Sequence, residues 1–137
     1  MRYYSTQTET TSPTWTAKLK LLVRLYHGAI NELRKVQLAE DPTTRAKAIL
    51  RTQRMVVEIV AGLDPSQGEV PAQVERLCVF CSQCLERQTP EDLKAAEHVL
   101  TVLADAFNEI VDDVQDLEAK GELPQAQQEQ SVVNHVA

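Results

Sequence analysis

Over residues 93–117 the apolar positions are Leu93, Ala96, Leu100, Leu103, Phe107, Ile110, Val114 and Leu117, alternating steps of three and four without a break. That spacing predicts a helix burying one narrow seam against partner helices. Thr89-Pro90-Glu91-Asp92 stands at its head. Thr89 can cap, Pro90 suits the first helical position, and the two acids complement the helix dipole. Gly121 and Pro124 mark its end. No catalytic residue type recurs along the seam, so packing shaped this segment.

The same pattern predicts three helices upstream. The first starts at Ser12-Pro13 or near Thr16, with Trp15, Leu19, Leu22, Tyr26, Ala29 and Leu33 on its apolar face, flanked by Leu21, Leu25 and Ile30. Gly28 inside it costs roughly 1 kcal/mol relative to Ala and signals a close helix approach. After a turn at Glu40-Asp41-Pro42-Thr43, the second helix covers residues 43–62. One of its stripes is Met55, Ile59 and Leu63; a neighbouring one is Ile49, Val56 and Val60, with Arg45, Lys47, Arg51 and Arg54 on the rest. This apolar arc is wider than one seam needs. It suits either a helix buried between two neighbours or a groove that receives a partner helix. A loop at 63–69 precedes the third helix, residues 70–87, whose inner side reads Val70, Val74, Leu77, Cys78, Cys81, Cys84 and Leu85.

Four helices joined by short turns predict an all-α fold, an antiparallel up-down four-helix bundle over residues 12–121. Residues 1–11 are polar and aperiodic and read as a flexible arm carrying Tyr3 and Tyr4; the Gln-rich tail 122–137 reads as disordered. One domain is expected from 137 residues, and the 4% aromatic content makes its core aliphatic. There is no apolar run of about 18 residues for a membrane span, and no apolar stretch near the start for a signal peptide. The three closely spaced cysteines fit a reducing cytoplasm. Charge is uneven: residues 1–60 hold 10 Lys/Arg and 5 Asp/Glu, residues 61–137 hold 4 and 15. The acidic half argues against nucleic-acid binding.

Candidate chemistry is thin. Cys78-x-x-Cys81-x-x-Cys84 is the one arrangement resembling a ligand set, but it lacks a fourth ligand in ferredoxin or zinc spacing. Steps of three on a helix also make Cys78 and Cys84 diverge, so structural cysteines are the simpler reading. A metal site using Cys78, Cys81 and a histidine stays open as the rival. Glu97 and His98 are adjacent, which defeats the Glu-x-x-His pattern of di-iron bundles. His27 and His98 have no nucleophile context, and there is no phosphate loop. No enzymatic activity and no cofactor are expected.

Leu21-Leu22-Val23-Arg24-Leu25-Tyr26-His27-Gly28-Ala29 resembles the Leu-hydrophobic-hydrophobic-x-Leu-Tyr-x-Gly-Ala segment in the first helix of the flagellin export chaperones, the FliS family. Gly62-Leu63-Asp64 followed by Gly68-Glu69-Val70 is similar to that family's Leu-Asp…Gly-Gly-Glu-Ile loop, with one glycine missing. Leu103-Ala104-Asp105-Ala106-Phe107-Asn108-Glu109-Ile110 is similar to its Leu-Arg-Glu-Ala-Trp-x-x-Ile. Tyr4 falls where the family carries an aromatic in its N-terminal arm. The resemblance covers roughly residues 4–117, in order. Departures are Lys18 at the family's helix-opening proline, Leu77-Cys78-Val79-Phe80 at its Leu-Tyr-x-Tyr, and Phe107 at its Trp.

The resemblance implies a cytoplasmic four-helix bundle that binds the disordered C-terminal segment of flagellin, prevents premature polymerisation and aids delivery to the type III export apparatus. It implies further that the arm covers the binding surface when that surface is empty. The expected partner-binding positions are Tyr4 as cover residue, Ile49, Gln53, Val56 and Val60 as groove wall, and Leu77 and Phe80 beside them. A helical adaptor for another export client is the alternative. Exposed apolar surface also leaves homodimerisation of the unliganded chain open.

Overall fold

A computed structural model describes residues 15–64, 66 and 68–122. Among them are four helices and no strand: α1 (Trp15–Leu38), α2 (Pro42–Ala61), α3 (Glu69–Arg87) and α4 (Pro90–Ala119). The arm with Tyr3 and Tyr4, and the tail beyond Glu122, lie outside the described residues. Local chemistry sets the helix starts. Asp41 accepts from the Thr44 amide at 2.9 Å with Pro42 in the first turn, and Thr89 accepts from the Asp92 amide at 3.1 Å with Pro90 following. Each side chain satisfies a donor that the first turn leaves without a partner. α3 starts differently. Gly68 has φ 143°, a backbone state that favours glycine, and its cap has no side-chain hydrogen bond.

α1 packs most closely on α2 and α4, α4 also packs on α3, and α2–α3 is the loosest of the four adjacent pairings. This is the closed ring of an up-down four-helix bundle. Three points fix the antiparallel register of α1 on α4. At one end the Glu118 carboxylate accepts from the Trp15 amide (2.6 Å), the Thr16 amide (3.0 Å) and the Thr16 hydroxyl (2.6 Å). In the middle Tyr26 stacks on Phe107, centroids 5.7 Å apart and planes 18° from parallel. At the other end Glu97 accepts from Arg34 Nε at 3.0 Å and Gln37 Nε2 at 2.7 Å. Each step up α1 is matched by an equal step down α4.

The core follows the predicted seams with a drift. On α4, Leu93, Ala96, Leu100, Leu103, Phe107 and Val114 are buried as expected, but Val111 and Ala104 join them while Ile110 and Leu117 are only half-buried. On α1 Val23 is buried and Leu22 half-buried. A straight helix repeats every 3.6 residues, so it drifts about 20° per heptad from a strict three-four seam. The spacing 93→104, 96→107 and 100→111 is the eleven-residue repeat that results. Close approach at Gly28 also holds: a Cβ there would lie 3.1 Å from the Met55 sulfur on α2.

Two consequences for stability follow. The buried Tyr26 hydroxyl has no hydrogen-bond partner among the described residues, and burial pushes its pKa well above the ordinary range. An unpaired buried hydroxyl costs about 1–3 kcal/mol, so Tyr26→Phe should raise the chemical-denaturation midpoint; a fall would show that the hydroxyl is satisfied. Glu118→Ala strips α1 of its capping carboxylate and should lower stability by about 1 kcal/mol, measured by the same titration, whereas the neighbouring exposed change Asp116→Ala should be silent.

Candidate functional site

Around α2, residues 48, 49, 52, 56 and 59 face the core, and Thr52 satisfies its buried hydroxyl by donating to the Ala48 carbonyl at 2.8 Å. Among the described residues one more stripe stays uncovered. Ala46, Leu50, Gln53, Val57 and Ala61 recur every three to four residues, so about 100° per residue places them along one side of the helix. Leu50 and Val57 expose 47% and 63% of their surface. Across from them, α3 presents Val79, 49% exposed.

Two cavities lie along this α2–α3 seam. One, of about 380 Å³, forms where the start of α2 meets the α3–α4 turn and is lined by Arg45, Ile49, Leu50, Gln53 and Gln88 among others. Arg45 donates to the Gln88 carbonyl at 3.2 Å and ties its rim. Gln88 itself adopts φ 60°, the left-handed end of α3. The other cavity, of about 570 Å³, opens further along α2 between Val56, Val57, Val60 on one wall and Cys78, Val79, Ser82 on the other. Together they make a shallow, mainly apolar groove, the shape that receives an amphipathic helix.

The predicted wall residues fall into three groups. Ile49 and Val56 belong to the hydrophobic core as well as the groove floor; Val56 is 1% exposed. Gln53 and Val60 are half-buried and line the cavities. Leu77 and Phe80 are exposed, yet neither lines the α2–α3 cavities. Leu77 is turned about 160° from Val79 around α3, so the inner-side assignment of Leu77 does not hold, and with Phe80 it faces away from the groove. The groove residues that pattern reading passed over are Leu50, Val57 and Val79. Their signal was present, as apolar residues one position off the core stripe.

The cysteines form no chemical site in this arrangement. Cys78, Cys81 and Cys84 are free, and all three are fully buried core residues. The Cys81 thiol points at the Ala96 carbonyl, 3.8 Å away. Burial pushes the Cys78 thiol up to about 11 and Cys81 up to about 12, so both are protonated near neutrality and poor metal ligands. Among the described residues no three His, Cys, Asp or Glu side chains cluster as a metal site, and no helix is long and apolar enough to cross a membrane.

The family of the flagellar protein FliS matches residues 1–114 of the 137. The chain belongs to the FliS family. No curated protein and no solved structure matches it. FliS proteins are flagellar chaperones, and membership gives this chain that general role.

The raised thiols make a pH prediction. A group whose folded pKa lies above its unfolded value contributes stability that is whole below the unfolded value and is lost as pH rises. That window opens near the ordinary thiol value of 9.0 and runs toward about 11 for Cys78 and about 12 for Cys81. The melting temperature should therefore fall progressively over that range, with thiolate absorbance of the folded protein rising at higher pH than that of the unfolded chain. Ionisation of all three thiols near 9 in the still-folded protein would contradict the burial described here.

Proposed function

We propose that this FliS protein is a cytoplasmic export chaperone that binds the C-terminal segment of flagellin, holding it from polymerisation until delivery to the type III export apparatus. The observation that carries the reading is the α2–α3 groove left open among the described residues: Leu50, Val57 and Val79 stand exposed along two cavities, the larger of them mainly apolar, in a protein of a flagellar chaperone family. An amphipathic segment entering it gains apolar burial, against an ordering cost of about 2–5 kcal/mol. Binding therefore needs a contiguous apolar surface rather than one pocket. The family resemblance adds Tyr4 of the N-terminal arm as the residue that covers this surface in the absence of flagellin.

The test is calorimetric titration of the protein with the C-terminal segment of flagellin from the same organism. Tight binding, a negative heat-capacity change and a gain of helicity are expected. Leu50→Glu combined with Val57→Glu should weaken binding at least tenfold, about 1.4 kcal/mol or more, while the unfolding midpoint stays within a few degrees because both residues lie outside the core. Val56→Glu is the unsuitable probe, since a charge there enters the core and unfolds the bundle. Absence of binding by the folded protein at high micromolar peptide would remove flagellin and bring forward another export client.

A further inference from the structure

The charges beside the groove say what kind of helix fits it. α2 carries four basic residues, Arg45, Lys47, Arg51 and Arg54, against one acid, Glu58. Arg45 is engaged with the Gln88 carbonyl at the end of the seam. Lys47, Arg51 and Arg54 are exposed and make no ion pair or hydrogen bond among the described residues. Lys47 and Arg54 are seven residues apart, and each lies about 60° around the helix from Leu50 or Val57. They therefore run along the outer edge of the apolar stripe for two turns. On the opposite wall the charged residue lining the larger cavity is Glu86. The two basic residues nearest it on that helix are occupied: Arg76 pairs with Glu69 at 3.1 Å and Arg87 with Asp92 at 3.2 Å. The groove thus has a basic α2 edge and an acidic α3 edge.

Resting on the groove reading above, we infer that the occupant is an amphipathic helix with an acidic flank, seated along α2 with that flank against Lys47, Arg51 and Arg54. Leu50 and Val57 lie seven residues apart, about 10.5 Å along the axis. An occupant nearly parallel or antiparallel to α2 meets them with apolar residues that are themselves about seven apart, one over each cavity. Its acidic residues fall on one side of that stripe, and its other side, facing Glu86, is neutral or basic. The charge pattern sets the rotation of the occupant about its own axis; the apolar pair sets its position along the groove.

The experiment uses the full chain and the flagellin C-terminal segment, titrated at low and high salt, with three variants: Leu50→Glu/Val57→Glu, Lys47→Glu/Arg51→Glu/Arg54→Glu, and Lys47→Gln/Arg51→Gln/Arg54→Gln. The expected result is affinity that drops severalfold from low to high salt. The charge reversal should weaken binding at least tenfold, with the neutralised variant intermediate and insensitive to salt. All three basic positions are exposed, so circular dichroism should show the same helicity in each variant. Unchanged or tighter binding by the reversed variant, with binding still lost in Leu50→Glu/Val57→Glu, overturns the acidic flank but leaves the groove standing. Binding untouched by every variant overturns the groove itself.

Discussion

Everything in this bundle hangs on the antiparallel pairing of α1 with α4. A carboxylate at one end, a stacked aromatic pair in the middle and a doubly hydrogen-bonded carboxylate at the other end hold two helices in one register. The Glu118 contact has a particular logic. The amides at the start of α1 have no partner inside their own helix, and the positive end of its dipole favours an anion. Glu118 supplies that anion from the far end of the chain. α1 then positions α2, because Gly28 lets Met55 come against the α1 backbone. A shift of α1 by one turn along α4 would break all three anchors and move the seat of α2 with it.

The groove is what remains once those contacts are made. α2 is tied to α1 through its core stripe, and α3 to α4 through a short turn held by Arg87 and Asp92. Between the two hairpins only the α2–α3 pairing closes the ring, and it is the loosest of the four. Among the described residues, the apolar positions beyond the core arc of α2 are consequently left exposed. Exposed apolar residues scattered singly need no explanation, but a stripe at helical spacing beside two cavities is the pattern on which the proposed binding surface rests.

The helices were legible because their signals are local. Pro42 after Asp41 and Pro90 after Thr89 announce their helix starts whatever packs around them. The seam registers were less so: Val111 replacing Ile110, and Val23 replacing Leu22, reflect the difference between a 3.5-residue ideal and the 3.6-residue helix. The groove was half legible. A wide apolar arc on α2 shows that more surface is apolar than one neighbour covers, and Gln53 and Val60 line the cavities as the arc suggested. It does not show which edge of the arc is left over. Ile49 and Val56 point inward, Leu50 and Val57 outward, and the choice between them depends on where α3 sits. That in turn is a long-range consequence of α4. Leu77 and Phe80 stand exposed on α3 but line neither cavity, and that too depends on where α3 sits.

The composition of α3 bears on how easily the groove can admit a helix. Its buried face is Pro71, Val74, Cys78, Cys81, Cys84 and Leu85, against Trp15, Leu19, Tyr26, Ile30 and Leu33 among the buried residues of α1. Burial stabilises roughly in proportion to the apolar area removed from water. Three cysteines bring less of that area than leucines would, and α3 is also the shorter helix, 19 residues against 24, so it buries less apolar surface than α1. Small side chains such as Cys81 against Ala96 also let α3 shift without leaving large knobs in the wrong holes. The groove is therefore bounded on one side by α2, seated against α1 at Gly28 and Met55, and on the other by a helix whose buried face is rich in small side chains. A close helix seat on one side and a small-residue face on the other suit the proposed occupant, since α2 sets its register while the α3 wall meets it with the small side chains of Cys78, Val79 and Ser82.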